Sequence, residues 1–500
     1  MSSLFVSTAI PYVNAAPHLG FALELVLADA LARHARDRGE DVHFVTGTDE
    51  NSLSNVRAAD AAGLGVAELV ASNAARYRAL RGLLDLSFDD FVRTSVDPRH
   101  AAAVDALWRG CVARGDLERR AYRGLYCVGC ETFLDPSALV DGCCAEHRKA
   151  PEEVEEENWF FRLSRYEAPL RRALATGALC IEPRARAREV ERLLEEGLED
   201  VSVSRSRARA RGWGLPVPGD PEQIVWVWFD ALANYLASLG YPDDAPRLRA
   251  HWLESRRRVH AIGKGIVRFH ALVWPAILRA NDLPLPTTLW VHGYVTANGE
   301  KIGKSRGNAV PPEALVEALG VDALRYFLLR HVGARQDADV DLARVERVYR
   351  AELADDLGNL VSRTLPLARK HAGGRFPVSP SAGLDPSGEA LARRASGLRG
   401  QVDDALARFA PDEALRAIWG VVSGANGYLA ESAPWQRAKD AAEAPRVEAT
   451  LHVTLLAIEA IGRELSPFLP QTSARIRAAL ADLAGPAPIL FPKREPPTQT

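Results

Sequence analysis

The segment from Phe5 to Phe21, FVSTAIPYVNAAPHLGF, constrains this chain more than any other. It opens as an apolar, β-branched run, which reads as a buried strand. The run breaks at Pro11, passes through small and polar residues, and reaches Pro17 just before a long helical pattern. Leu23, Val26, Leu27, Ala30 and Leu31 share one face of that helix, and Gly39 stops it. A second apolar run, Val42 to Thr46, follows at once. Strand, loop, helix, strand is a βαβ unit whose loop lies at the carboxyl end of the first strand, where open parallel sheets hold ligands. The helix N-terminus there, with free N–H groups and a positive dipole end, suits a phosphate. Neither G-x-G-x-x-G nor a P-loop is present. A Pro-x-His-x-Gly corner takes their place, in which Gly20 would let a nucleotide approach and His18 would donate to phosphate oxygens.

Five hundred residues exceed one ordinary core, so two to four domains are expected. With 47% apolar and 25% charged residues the composition is that of a soluble globular protein. No apolar run reaches the roughly 18–20 residues of a membrane span, and the N-terminus lacks a signal-peptide pattern, so no membrane is expected and the cytoplasm is. The net charge of −3 gives no global attraction for nucleic acid, which would have to be held by local patches.

Four of the six cysteines crowd between Cys127 and Cys144, which suits metal binding in a reducing compartment better than disulfides. Cys127-x-x-Cys130 forms one knuckle, and Cys144 with His147 forms a Cys-x-x-His second one. Together they make a tetrahedral Cys₃His zinc site, with Cys143 as the substitute third thiolate. Four protein ligands leave no open position, so such a metal is structural.

Thr46-Gly-Thr-Asp49 closes the second strand and faces the same crevice, or is a plain helix cap. The acidic run Glu152 to Glu157 reads as a solvated face. The basic stretch Arg205 to Arg211 is either surface charge or phosphate-facing. Apolar, strand-like character returns at Ile224 and begins a second α/β half, in which Trp228, Tyr235 and His270 could all be core. Lys301-Ile-Gly-Lys304-Ser305 is a cationic, glycine-containing loop of the kind that clamps a polyphosphate. From about Pro311 to Ala484 the pattern is helical, without strand-like alternation, and reads as a bundle.

His18-Leu-Gly-Phe21 stands where one family has its H-I-G-H signature, and Lys301-Ile-Gly-Lys304-Ser305 where it has K-M-S-K-S. Ala9 to Asn14, Thr46 to Asp49, Val227 to Ala231, Phe269-His270, Val321 to Phe327 and Asp356 to Leu360 look like further blocks of it, in order. The chain resembles methionyl-tRNA synthetases, class I aminoacyl-tRNA ligases, from end to end. The resemblance implies an α/β fold, a Rossmann-type parallel sheet split by a zinc-knuckle insertion, followed by an all-α anticodon-binding bundle. It places the first catalytic half at 1–113, the insertion at 114–212, the second half at 213–290, the lysine loop and stem-contact region at 291–348, and the anticodon domain with its tail at 349–500. It implies ATP-dependent activation of methionine to methionyl-adenylate and transfer to the 3′ end of tRNA(Met), with Mg²⁺ at the ATP and a structural Zn²⁺, by a monomer.

By the same resemblance, His18, Lys301 and Lys304 are catalytic, and Gly20, Phe21, Gly263, Lys264 and Ser305 join them around ATP. Asp49, with the Tyr12 region, holds the substrate ammonium, and Arg205 sits near that carboxylate. Ile10, Trp228, Ala231, Tyr235 and His270 line the thioether pocket. Asn359, Arg363 and Trp435 read the anticodon, the first two one helical turn apart.

The chain departs from the family pattern at its chemical centre. Phe21 replaces the second histidine of the signature, Gly265 an aspartate, Ile302-Gly303 a Met-Ser, and Asn51-Ser52 a His-Gly. A missing preorganised donor costs on the order of 10²-fold in rate. Two other readings therefore stay open here: a paralogue that adenylates methionine or a relative for specialised metabolism, and a catalytically weak tRNA-binding protein.

Overall fold

Leu4, Phe5 and Val6 are fully buried, because the strand they occupy, β1 (Ser3–Thr8), is central in a parallel sheet. We describe residues 2–145, 148–297, 300–301, 311–376 and 383–493 of a computed structural model. The chain divides into two compact units, residues 1–82 with 86–293, and residues 83–85 with 294–500.

In the first unit β1 is followed by α1 (Leu19–Asp37) and then by β2 (Asp41–Thr48), β3 (Asp90–Arg93), β4 (Cys180–Glu182), β5 (Arg257–Gly263) and β6 (Thr288–His292). All pair in parallel, in the order β3-β2-β1-β5-β6-β4. The chain winds from β1 outward to β3, then returns to β1's other side through β5. The gap above the carboxyl ends of β1 and β5 is therefore the topological switch point, where such sheets bind ligands.

Between β3 and β5 lies an antiparallel sheet built from Leu117–Cys127, Thr132–Leu134, Glu152–Phe161 and Val201–Ser202. The acidic run belongs to its third strand, where Glu153 and Glu157 pair with Arg123 and Arg119 across the ribbon. The expected solvated face is thus a charge-paired one, worth little individually.

The second unit is helical from Pro312, with Asn359–His371, Pro386–Ala407, Pro411–Ser432 and Ala444–Glu464 as its long members. The expectation of no strand there needs one correction. Ala338–Asp339 pairs in parallel with Val295–Ala297, giving a small sheet that also takes in Glu300–Lys301. A two-residue strand leaves no alternation to read. Among the described residues no helix is long and apolar enough to cross a membrane.

Candidate active site

The corner after β1 is held from both sides. The Ala9 N–H donates to Ala261 O of β5 at 3.1 Å and to Glu24 Oε1 of α1 at 2.7 Å. The Pro11 carbonyl accepts from the Asp49 N–H at 2.9 Å, and Tyr12 and Asp49 form an isolated parallel bridge. His18 caps α1 in extended conformation, and its Nδ1 accepts from the Gly20 N–H at 3.1 Å. An accepting Nδ1 puts the proton of the neutral ring on Nε2, which leaves that nitrogen as the donor. A Cβ on Gly20 would lie 3.0 Å from His18 Cε1, so this glycine makes room for the histidine's fold-back. That is a different reason for the glycine from the nucleotide approach expected of it.

Phe21, only 8% exposed, packs its ring on Tyr77, with centroids 5.3 Å apart. Gly263 ends β5 and Lys264 starts the next turn. A Cβ on Gly263 would meet His292 Cε1 at 3.6 Å, and His292 Nε2 lies 2.8 Å from Glu24 Oε2. His292 and Glu24 are buried polar partners that sequence reading missed.

Asp49 is 3% exposed. Burial, then the neighbouring carboxylates Asp230 and Glu131, push its carboxyl well above the ordinary range. Its Oδ1 has no hydrogen-bond partner among the described residues. Its backbone is over-determined by comparison. The Asp49 carbonyl accepts from Asn55 Nδ2 at 3.0 Å, and the next N–H, of Glu50, donates to Thr94 Oγ1 at 2.8 Å. Glu50 itself is tied to Arg93 Nε at 2.7 Å and its carbonyl accepts from Trp213 Nε1 at 2.7 Å. A rigidly placed, buried carboxylate with a free oxygen is a receptor for a cation.

Trp228, Ala231 and Tyr235 follow one another on the short helices Val227–Leu232 and Asn234–Ala237. Trp228 stacks on Phe269 at 3.9 Å and 14°, and its Nε1 donates to Cys130 O at 3.2 Å. Tyr235 OH lies 2.8 Å from His270 Nε2, and His270 Nδ1 lies 3.1 Å from Ile266 O. Since a carbonyl only accepts, Nδ1 carries the proton and Nε2 accepts from the tyrosine. Burial lowers the His270 pKa to about 4, so the imidazole is neutral and suits an apolar guest. Ile10 and the Tyr12 ring sit half-buried on the loop after β1.

Arg205 borders the carboxylate group around Asp49 through Glu131. It is buried with its guanidinium 4.8 Å from the Tyr126 ring and 5.3 Å from that of Phe133, and it donates to Ser202 Oγ and to the Ser204 and Glu131 carbonyls. Its described contacts include no carboxylate. It staples the insertion, because the aromatic faces take up a desolvated guanidinium. Arg209 covers Tyr126 from 4.4 Å and Arg211 pairs with Asp60, so the basic stretch is structurally engaged. Glu131 is the group that spacing alone could not flag. Its carboxylate accepts from Ser52 Oγ, the Leu53 N–H and Tyr126 OH, while its carbonyl accepts from Trp226 Nε1.

The Sγ atoms of Cys127, Cys130 and Cys144 all lie within 4.8 Å of one another, with Cys130 and Cys144 at 3.6 Å. Tetrahedral zinc with bonds of about 2.3 Å needs sulfurs roughly 3.8 Å apart, so this donor set fits the ion. Cys143 precedes Cys144 in a two-residue strand and so faces the other way. His147 lies outside the described residues, as do Lys304 and Ser305. Lys301 is described by its backbone alone, paired with Thr296. In the second unit Arg363 lies over the Trp435 ring at 5.1 Å, and Asn359 precedes Arg363 by one turn of the same helix.

The chain matches the family described as tRNA synthetases class I (M) over residues 4–150 and 130–365. It matches the anticodon binding domain of methionyl tRNA ligase over residues 387–487. It is 38% identical over 488 residues to the methionine–tRNA ligase of Brucella suis biovar 1, covering 95% of this chain and 91% of that one. To that of Mycobacterium bovis it is 40% identical over 496 residues, covering 98% and 93%. The solved Mycobacterium tuberculosis methionyl-tRNA synthetase in complex with methionyl-adenylate superposes with a TM-score of 0.92 at 37% identity, covering 99% of this chain and all of that one. The apo form of that synthetase gives 0.86 at 34% identity, with 99% of each chain covered. With matches that run through both units, this chain belongs to the class I tRNA synthetases (M).

Proposed function

We propose that this chain is a methionine–tRNA ligase, forming methionyl-adenylate with release of pyrophosphate and then charging tRNA(Met). One observation carries the substrate reading: the buried, rigidly held Asp49 offers a free carboxylate oxygen at the carboxyl end of β2. Asp49 takes the α-ammonium, with the buried Tyr12 hydroxyl beside it. The neutral His270–Tyr235 pair, Trp228, Ala231 and Ile10 receive the thioether, for which a flat aromatic and an uncharged imidazole are favourable neighbours. Fixing the carboxylate against the α-phosphate supplies most of what such a reaction needs, since positioning replaces a bimolecular encounter.

His18 Nε2–H, at the positive dipole end of α1, is a donor for the phosphate charge that grows in the transition state. Gly263 and Lys264 sit on the β5 side of the crevice for the nucleotide. Lys301, Lys304 and Ser305 are assigned from the sequence pattern to the departing pyrophosphate, with Mg²⁺ as the usual counter-ion of ATP. Cys127, Cys130, Cys144 and His147 would hold a structural Zn²⁺, which supplies folding energy to the knuckle and no chemistry. Asn359, Arg363 and Trp435 are the anticodon readers, with Trp435 as the stacking platform for an unpaired base. The cytoplasm is the compartment in which such thiols and such substrates occur together.

The test is methionine-dependent ATP–pyrophosphate exchange followed by charging of a tRNA with a CAU anticodon. Both activities are expected. Exchange without charging would leave an adenylating paralogue, and no exchange with any amino acid would leave only an RNA-binding protein.

A further inference from the structure

Asp49 is not alone behind the crevice. Asp230, on the helix Val227–Leu232, is fully buried as well. Its Oδ1 lies 2.5 Å from His100 Nε2, and its Oδ2 accepts from Asn51 Nδ2 at 2.7 Å. His100 comes from the helix Pro98–Ala113 and is fully buried; its Nδ1 has no hydrogen-bond partner among the described residues. A carboxylate oxygen accepts, so His100 Nε2 carries the proton shared with Asp230. Asn51 cannot titrate. Asp230 is thus held on both carboxylate oxygens, by side chains from two separate segments. The other charged or titratable groups facing this cluster are Glu131, the Tyr12 phenol, Asp97 toward His100, and Glu50, which Arg93 neutralises.

Two buried carboxylates side by side repel unless a cation arrives. We infer that His100 is a positioning residue for ammonium recognition: through Asp230, and together with Asn51, it fixes a second anion that strengthens Asp49's hold on the substrate without touching it. The inference rests on the proposed role of Asp49. It also explains why Asn51 reaches away from Asp49's free oxygen, toward Asp230 and the Thr94 carbonyl at 3.3 Å.

The test is pyrophosphate exchange by the full chain, varying methionine at saturating ATP and then ATP at saturating methionine. His100→Leu removes a donor from Asp230, whose carboxylate is then held through one oxygen only. The expected result is a rise of about tenfold in KM for methionine and a KM for ATP changed less than about twofold. His100→Gln, which still offers an amide donor, should recover most of the loss. Equal losses for both substrates, or an unchanged KM for methionine, overturn the inference. Should His100→Leu fail to fold, Asn51→Ala decides, since it removes the other donor and must show the same methionine-only defect. Asp49→Asn separates the two levels. If it spares the KM for methionine, the role of Asp49 itself falls. If it raises that KM while His100→Leu does not, only the present inference falls.

Discussion

The residue that departs most visibly from its family pattern is Phe21, and its packing says what the departure does. Its ring lies in the first turn of α1, nearly buried against Tyr77. Tyr77 belongs to the helix Val66–Leu83, and burial drives its phenol far above the ordinary range, so the hydroxyl stays neutral. The phenylalanine therefore serves a helix–helix contact, and His18 is the side-chain donor of the corner. Phe21→His is expected to cost stability of roughly 1–3 kcal/mol, the range for disturbing a buried contact. Exchange activity should remain or rise. A loss beyond about tenfold, with the near-ultraviolet circular dichroism intact, would show that the ring itself contacts the nucleotide. This is also where the sequence is mute. His18 could be read as a helix-start donor because its cap lies two residues from Gly20. Phe21 could not, because its partner is 56 positions away on another helix, and Arg205 could not, because the rings that hold it come from the insertion.

At the scale of elements, the strand-loop-helix-strand unit was legible because its periodicities are local, and the central parallel sheet follows from it. The insertion was legible as a metal knuckle only through spacing. What spacing does not carry is how the knuckle grips the rest of its unit. Trp228 Nε1 reaches Cys130 O, Ser54 Oγ reaches Val128 O, and Glu131 caps the turn at Ser52 and Leu53. Removing the metal should accordingly disturb more than a surface loop. Cys144→Ser is expected to lower bound zinc well below one per chain, to lower the melting temperature, and to raise the KM for methionine through Trp228. Cys143→Ser, whose side chain faces the other way, should bind zinc as the parent does. Equal zinc loss in both variants, measured by atomic absorption, would mean that the second knuckle is built differently. The helical unit carries its own prediction. Stacking one base on an aromatic is worth about 1–3 kcal/mol, so Trp435→Ala should reduce kcat/KM for tRNA charging roughly 5- to 150-fold while exchange is unchanged. A parallel fall in exchange would contradict a role confined to tRNA.

Over the whole molecule, buried histidines set how the protein meets acid. Burial lowers His43 and His270 to about 4, and takes His260 well below its ordinary value. His43 Nε2 is orphaned, and His260 Nε2 accepts from Trp274 while its Nδ1 bonds Ser7 Oγ, so none of the three has a ready place for a second proton. In the unfolded chain they titrate near 6.5. Between about pH 6.5 and 4 the unfolded state therefore binds more protons than the folded one, and stability falls as the pH drops through that window. Each group lowered to about 4 contributes roughly 3 kcal/mol over the whole window. In the first unit, which holds all three histidines, Asp49 acts in the opposite sense, since its raised carboxyl lets the folded state take a proton early, but it is one group against three. Every tryptophan except Trp419 and Trp435 lies in the first unit, so intrinsic fluorescence follows that unit's unfolding. The urea midpoint read this way should fall steadily from pH 7.5 to about 5, and His43→Phe, which removes one titrating group while keeping a flat ring beside Phe5 and His251, should flatten the fall. A midpoint that does not move over that range would mean that these rings find protons and partners in the folded state, and the neutral His270–Tyr235 wall assigned to the thioether would fall with it.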